Sequence, residues 1–145
     1  MTSDLELLRK TLKDRGYRVT KARETVFKLL ANSTPQTISQ LIDNANDTVD
    51  RVSIYRNIEI FEEIGIVRRI YIGWKYKLEL SDQFISHHHH LSCLSCGKVI
   101  DIEEEKHIDR FINNITSKFS FTPARHQFEI EGYCSKCINK KGSLF

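Results

Sequence analysis

Apolar residues recur at helical spacing through residues 4–65, in four segments separated by polar stretches. Spacings of three and four residues place such side chains on one face of an α-helix. Thr20 and Thr37 stand at the expected N-caps of the second and third segments, and Gly65 ends the fourth. The pattern predicts four short helices, whose core residues are Leu5, Leu8 and Leu12; Val26, Leu29 and Leu30; Ile38, Leu41 and Ile42; and Ile54, Ile58 and Phe61.

The pattern changes to alternation in VRRIYIGWKYKLEL, residues 67–80, which turns at Gly73 like a β-hairpin. Helices followed by a two-stranded ribbon are typical of a winged helix-turn-helix, whose last helix enters the DNA major groove. The side chains expected to contact DNA are Ser53, Tyr55, Arg56 and Asn57 on that helix, and Arg18, Lys21 and Arg23 flanking the second helix. Helix-turn-helix shapes also occur in modules that bind proteins. The alternative to a DNA-binding protein is therefore a zinc-ribbon scaffold that binds a protein partner.

The C-terminal part is predicted to form strand, helix and strand. In LSCLSCGKVIDI a Cys-x-x-Cys runs into an apolar strand, and RHQFEIEGYC alternates with His126, Phe128 and Ile130 on one side. Between them, one helix face is predicted to comprise Ile108, Phe111, Ile112, Ile115 and Phe119. So small a sheet with a single helix barely covers its own faces, which favours pairing with a second copy of the chain.

The expected fold class is therefore α+β, with two domains. Residues 1–80 would form a winged helix-turn-helix DNA-binding domain, followed by a hinge at about residues 79–86. Residues 84–145 would form a small α/β dimerisation domain that binds metal, including a structural zinc ion.

Composition and charge agree with this division. The chain has 145 residues, of which 40% are hydrophobic and 28% charged, as in ordinary folded domains. Residues 1–80 carry 14 Lys and Arg against 11 Asp and Glu, whereas the remainder is balanced. No run of about 18 apolar residues is present, and the N-terminus does not resemble a signal peptide. We therefore expect a cytoplasmic protein with no membrane partner.

The four cysteines form two Cys-x-x-Cys pairs with none left over. In a reducing compartment, paired cysteines of this spacing are typical of a closed tetrahedral zinc site. A redox dithiol and plain buried cysteines are the alternatives. The predicted structural zinc ligands are Cys93, Cys96, Cys134 and Cys137.

Four consecutive histidines, residues 87–90, precede the first cysteine pair, and an internal run of this length is too short and misplaced for a purification tag. Successive side chains of a strand point to opposite faces, so the run would form two half-sites. His87 and His89 would share one face, with His126 and Asp109 as further donors. The other face would combine His88 and His90 with Glu79 and Asp101. Such mixed sets of imidazole and carboxylate suit Fe(II), Mn(II) and Zn(II).

Four motifs, GYRVTKARETVFKLL, VSIYRNIEIFEEIGIV, HHHHLSCLSCGKVIDI and GYCSKC, together resemble the ferric uptake regulator (Fur) family of bacterial metal-dependent repressors, from about Leu5 to Cys137. The resemblance implies a homodimer that binds AT-rich palindromic operators in double-stranded DNA when loaded with metal; a tetramer is the alternative assembly. It also implies a structural zinc ion at the four cysteines and Fe(II) as the regulatory ion, with Mn(II) or Zn(II) as alternatives.

Matched to the family pattern, the hinge regulatory site is Glu79, His88 and His90, with Asp101 as a further ligand. An additional site comprises His87, His89, Asp109 and His126, and Tyr55, Arg56 and Arg18 match the family's DNA-contacting positions. One departure stands at Gln36, or at Pro35, where the family's iron and peroxide sensors usually have a histidine ligand.

The expected function is a metal-responsive transcriptional repressor that controls metal homeostasis, with iron as the first choice of metal. A peroxide-sensing repressor and a zinc- or manganese-responsive member of the family are the alternatives. An enzyme is not expected, because no nucleophile or general-base signature accompanies the metal ligands.

Overall fold

The computed structural model describes residues 2–32, 34–103 and 106–139. The chain divides into two compact units, residues 1–86 and 87–145. The elements of the first unit are α1 (Thr2–Asp14), α2 (Lys21–Ala31), α3 (Ile38–Ala45), α4 (Arg51–Glu63), β1 (Val67–Ile72) and β2 (Lys75–Leu80). Those of the second are β3 (His88–Cys93), β4 (Val99–Glu103), α5 (Lys106–Lys118), β5 (Glu129–Gly132) and α6 (Ser135–Ile138).

The four predicted helices of the first unit are present, and side-chain caps fix where three of them start. Thr20 accepts a hydrogen bond from the Arg23 amide at the start of α2. Thr37 and Gln40 form a reciprocal capping box on α3. Asp50 caps α4 by accepting from the Ser53 amide, a start that the periodicity alone did not locate.

The core of the first unit lies where these helices meet the hairpin. Buried side chains from every element contribute to it, among them Leu8, Leu12, Phe27, Leu41, Ile54, Phe61, Ile66 and Leu78. On α4 the buried face is Ile54, Asn57, Ile58 and Phe61. The expectation that Asn57 lies on the outward face is therefore wrong. Its position three residues after Ile54 turns it inward, where its amide donates to the Ser53 carbonyl at 2.7 Å.

The hairpin has the predicted alternation and turn. β1 and β2 pair antiparallel from Val67 opposite Leu80 to Ile72 opposite Lys75, which leaves Gly73 and Trp74 as a two-residue turn. Gly73 has a φ of 59°, a left-handed conformation that glycine adopts without strain. A further bridge pairs Gln36 with Leu78.

The second unit is a three-stranded sheet in the order β4-β3-β5. β3 pairs antiparallel with β4 and parallel with β5. LSCLSCGKVIDI thus forms two strands joined by a turn at Gly97, whose φ is 70°. The last strand is shorter than its alternation suggested, because His126 and Phe128 lie before β5 rather than within it.

The helix predicted in the second unit is present as α5; of its first predicted residues, Glu103 lies in β4, and residues 104 and 105 lie outside the described residues. None of the side chains described on α5 is buried within the single chain. Among the described helices, none has the length and apolar character needed to cross a lipid bilayer.

Candidate metal centres and nucleic-acid interface

The four cysteines converge at one end of the second unit's sheet. Parallel pairing of β3 with β5 sets Cys93 opposite Gly132, two residues before Cys134, and so brings the two Cys-x-x-Cys turns together. The four Sγ atoms lie within 4.8 Å of one another. Cys96 and Cys134 have their Sγ atoms 3.8 Å apart, far longer than a disulfide bond. The arrangement is one that four thiolates around a single tetrahedral ion require.

The surroundings of Cys93 and Cys137 shift the pKa values of these two thiols in opposite directions. Backbone hydrogen bonds, chiefly from the Cys134 amide at 3.4 Å, lower the pKa of Cys93 to about 6. A hydrogen bond with the Ser95 side chain lowers the pKa of Cys137. The neighbouring thiols and burial outweigh this effect and raise the pKa of Cys137 to about 11. One thiolate therefore forms readily, whereas complete ionisation of the cluster needs a cation at its centre.

The first histidine face lies entirely in the second unit. Ligand atoms of His87, His89 and His126 lie within 4.8 Å of one another, and the Nε2 atoms of His87 and His126 are 2.9 Å apart. Asp109 of α5 has its Oδ1 atom 3.8 Å from Nε2 of His126. The structure thus brings together all four residues predicted for the additional site.

His89 shows that this face suits a metal ion. Its side chain is only 1% exposed, and within residues 2–32, 34–103 and 106–139 neither ring nitrogen has a hydrogen-bond partner. Burial, reinforced by the neighbouring His87 and His126, lowers the pKa of His89 and keeps its imidazole neutral. A buried neutral imidazole with its lone pair unused is costly in a protein, and a coordinated cation removes that cost.

The second histidine face combines His88 and His90, whose ring centroids are 4.7 Å apart. His90 is buried and pairs in register with Asp101, whose Oδ1 atom lies 3.8 Å from its Nε2 atom. Three of the four residues predicted for the regulatory site are therefore neighbours on the β3–β4 ribbon.

Glu79, the fourth predicted regulatory ligand, belongs to β2 of the first unit. Its side chain is buried, and one oxygen accepts from Nε of Arg68 at 2.5 Å across the hairpin. Arg68 also binds Asp82 at 2.8 Å through Nη1. Sequence analysis did not find this arginine, although Arg68 and Glu79 face each other in the register that the turn at Gly73 implies.

Gln36, or its neighbour Pro35, stands where the family resemblance would place a histidine ligand, and the Gln36 side chain is bonded within the first unit. Its amide nitrogen donates to the Leu29 carbonyl at 3.1 Å, and its oxygen accepts from Asn44 at 2.8 Å. Its backbone exchanges hydrogen bonds with Leu78. The buried side chain thereby joins α2 and α3, beside the strand that bears Glu79.

The predicted DNA-facing residues divide into exposed and engaged side chains. Tyr55 and Arg56 on α4 are exposed, as are Arg18 and Lys21. The Ser53 hydroxyl donates to Asp50, and the Arg23 guanidinium lies over the Tyr17 ring and donates to the Arg18 carbonyl. Arg51 and Val52 are also exposed at the start of α4. The apolar period did not include these two residues, because the helix begins earlier than expected.

Comparisons with known proteins bear on both units. The model of the Ferric uptake regulator family matches residues 14–131. The peroxide-responsive repressor PerR of Staphylococcus aureus is 28% identical over 139 residues, covering 90% of this chain and 88% of the relative.

Two solved structures extend the likeness to the fold. The ferric uptake regulator of Helicobacter pylori superposes with a TM-score of 0.76 at 25% identity, covering 94% of this chain and 92% of that one. The ferric uptake regulator of Vibrio cholerae superposes with a TM-score of 0.70 at 27% identity, covering 87% of this chain and 98% of that one.

Replacing Cys93 should release the structural ion and unfold the second unit. We expect Cys93→Ser to lose one zinc ion per chain and much of its ordered secondary structure, because binding of structural zinc contributes directly to folding. Elemental analysis and circular dichroism measure both. Leu94→Ser, in the same turn but without a ligand atom, is the matched control and should keep its zinc. A folded Cys93→Ser protein that lacks zinc would contradict the structural role.

Removing the Gln36 side chain should affect stability rather than metal binding. We expect Gln36→Ala to lower the free energy of unfolding by about 1–3 kcal/mol, because the Asn44 amide and the Leu29 carbonyl lose their partner. Urea denaturation measures this loss, and titration with Mn(II) should show an unchanged dissociation constant. Gln83→Ala, in an exposed turn, is the control for both measurements. Weaker metal binding without a loss of stability would instead make Gln36 a ligand.

Proposed function

The chain belongs to the ferric uptake regulator family and is a metal-responsive transcriptional repressor, and we propose that it binds palindromic AT-rich operators as a homodimer loaded with Fe(II) in the bacterial cytoplasm. The observation that supports this most directly is the sorting of the histidine run into two faces on β3. One face gathers His87, His89 and His126 within the second unit, and the other places His90 opposite Asp101.

The regulatory site in this proposal is Glu79 with His88, His90 and Asp101. Imidazole and carboxylate ligands suit Fe(II) and similar divalent ions, which supply a positive centre that both units bind at once. Glu79 lies on a hairpin whose other strand is tied to the recognition helix, since Arg69 of β1 donates to Glu62 of α4 at 2.8 Å. An orientation imposed on Glu79 is therefore imposed on α4 as well.

Coordination at this site would favour the orientation in which the recognition helices of two subunits fit the operator together. In the absence of metal, the two units would sample several orientations, so metal and DNA would assist each other in binding. Linkage requires the same factor in both directions, typically about 5- to 150-fold.

The other two clusters have structural roles in the proposal. A zinc ion held by Cys93, Cys96, Cys134 and Cys137 would fasten β3 to β5 and α6. A further ion held by His87, His89, Asp109 and His126 would join β3 to α5. Both sets fit their ions chemically, because one offers four thiolates and the other offers neutral buried imidazoles beside a carboxylate.

The DNA surface that we propose is centred on α4. Tyr55 and Arg56 are exposed there and reach base edges, while Arg18 and Lys21 contact phosphates. Ser53 and Arg23 contribute less than the sequence suggested, because their polar atoms already bind Asp50 and the Arg18 carbonyl. Asn57 is left out of this surface because it is buried.

The proposed dimer forms through α5 and the sheet beneath it. Phe111 and Ile115 of α5 and Phe119, the residue after its end, recur every four residues, and Phe111 and Phe119 are 63% and 79% exposed. Ile130 and Phe128 add further exposed apolar surface beside β5. A stripe of this size on a single chain is typical of an interface, and a second copy buries it symmetrically.

Removing the second histidine face should abolish regulation but not folding. We expect the double variant His88→Ala with His90→Ala to keep its zinc and its dimeric state and to lose metal-dependent operator binding. Fluorescence anisotropy of a labelled operator, measured with and without Mn(II), tests this. His107→Ala, the one histidine outside both clusters, is the control. Metal-dependent binding that survives in the double variant would overturn the regulatory assignment.

A peroxide treatment of the purified protein distinguishes metal sensing from peroxide sensing, the activity that gives the Staphylococcus aureus relative its name. Wild-type protein loaded with Fe(II) is treated with peroxide, and the peptide that contains His88 and His90 is weighed by mass spectrometry. An unmodified peptide supports a metal sensor, whereas an added oxygen on either histidine supports the peroxide alternative.

Introducing a charge into the stripe on α5 should separate the subunits. We expect Phe111→Glu to remain folded, because the side chain is exposed in the single chain, and to run as a monomer. Light scattering would give the mass of two chains for the wild type and of one for the variant. Arg110→Glu, an exposed neighbour outside the stripe, should stay dimeric. A dimeric Phe111→Glu protein would place the interface elsewhere, and a wild-type mass of four chains would support the tetramer.

A further inference from the structure

Arg68 binds the carboxylate that the proposed regulatory site takes from the first unit. Its Nε atom lies 2.5 Å from Oε1 of Glu79, and the two residues stand directly opposite each other in the β1–β2 ladder. The Arg68 and Glu79 side chains are only 15% and 7% exposed. A charge-assisted hydrogen bond that water screens so little is among the stronger pairings in a protein. Glu79 therefore already has a cationic partner, supplied by its own chain.

The guanidinium group of Arg68 is shared between two carboxylates. Its Nη1 atom lies 2.8 Å from Oδ1 of Asp82, which stands three residues after Glu79, just beyond the end of β2. Arg68 thus keeps an anionic partner when Glu79 binds another cation. Removing one partner of a buried ion pair is costly because it leaves an uncompensated charge, and Asp82 spares Arg68 that cost.

The hydrogen bonding of this guanidinium is strong but incomplete. Its third nitrogen atom, Nη2, is buried and has no hydrogen-bond partner in the part of the chain that the structure describes. A buried donor without a partner is costly, which offsets part of the stabilisation that the two ion pairs provide. A divalent ion, with twice the charge of a guanidinium group, can therefore displace Arg68 from Glu79.

The neighbouring arginine does not share this arrangement. Arg69 pairs with Glu62 of α4, and its side chain is 38% exposed. Adjacent side chains of a strand point to opposite faces, so of these two arginines it is Arg68 that lies on the face of Glu79. The register of the hairpin thus assigns one arginine to the recognition helix and the other to the proposed metal ligand.

We propose that Arg68 is a built-in competitor for the regulatory ion, which holds Glu79 in the metal-free protein and so sets the metal concentration at which the regulatory site fills. The inference rests on the proposed role of Glu79 as a regulatory ligand. When a ligand is engaged elsewhere in most molecules, the apparent metal affinity is lowered by the fraction of molecules in which that ligand is released. Without Arg68, metal would bind more tightly, and the metal-free protein would be less stable.

The affinity of the regulatory site for Mn(II) tests this inference without DNA. Full-length protein with its structural zinc in place is titrated with Mn(II), and electron paramagnetic resonance measures the free ion. The regulatory site is the one that the double variant His88→Ala with His90→Ala lacks. We expect Arg68→Met to bind Mn(II) at this site on the order of tenfold more tightly than the wild type, the scale of one lost charge-assisted hydrogen bond.

The stability of the same variant should change in the opposite direction. In the absence of Mn(II), Arg68→Met should unfold at a lower urea concentration than the wild type, because Glu79 loses its buried cationic partner. Addition of Mn(II) should raise the urea midpoint of the variant by more than that of the wild type. An arginine with a structural role alone would instead lose stability and metal affinity together.

Three matched variants identify the interaction. Arg68→Lys should have a Mn(II) affinity between those of the wild type and Arg68→Met, because an ammonium group keeps the charge but lacks the fork that binds two carboxylates. Lys77→Gln removes a positive charge from the same hairpin and should leave the affinity unchanged. Glu79→Gln should weaken Mn(II) binding, and adding Arg68→Met to that variant should produce no further change.

Two results would overturn the competitor role while leaving the regulatory site in place. In the first, Glu79→Gln weakens Mn(II) binding, but Arg68→Met binds Mn(II) like the wild type or more weakly. In the second, Lys77→Gln strengthens Mn(II) binding as much as Arg68→Met does, which would reduce the effect to general charge repulsion. If Glu79→Gln leaves the Mn(II) affinity unchanged, Glu79 is not a ligand, and the proposed regulatory site fails together with the inference.

Discussion

The alternation of side chains along β3 is the constraint on which the two histidine faces and the thiol cluster depend. Because successive side chains point to opposite faces, four adjacent histidines become two pairs, with ring centroids 4.9 Å and 4.7 Å apart. The same strand ends at Cys93, so its pairing with β5 also brings the thiols together. A shift of one residue in this register would exchange the two histidine faces and separate the cysteines.

In the first unit, several contacts meet at β2. Gln36 pairs with Leu78, and Glu79, the next residue, binds Arg68 across the hairpin. The backbone of Gln36 therefore supports the strand that carries Glu79. Arg68 binds one oxygen of the Glu79 carboxylate. In the proposed mechanism, a metal ion that binds Glu79 would compete with this arginine for the carboxylate.

Much of this architecture follows from the sequence, and the exceptions have local physical causes. The two-residue period of a strand was sufficient to predict the two histidine faces, and the cysteine spacing was sufficient to predict the thiol cluster. Both features depend on backbone geometry that varies little between proteins. Asn57 was misplaced because a polar residue can occupy an inward position when a backbone carbonyl, here that of Ser53, accepts from it. Arg68 and the internal bonds of Gln36 escaped prediction because they depend on pairing across strands and between helices, which periodicity does not specify.

In the proposed mechanism, the division of ligands between the two units determines which cluster would act as the sensor. A ligand shifts a conformational equilibrium only if it binds one state better than another. The four cysteines, and His87 with His89, His126 and Asp109, all belong to the second unit, so ions held there stabilise that unit by mass action whatever the orientation of the first. In the proposed mechanism, only the ligand set that includes Glu79 would have a metal affinity that depends on the orientation of the two units. Because the Gln36 side chain is hydrogen-bonded to Leu29 and Asn44, Glu79 is the residue of the first unit that we propose to couple metal binding to DNA binding.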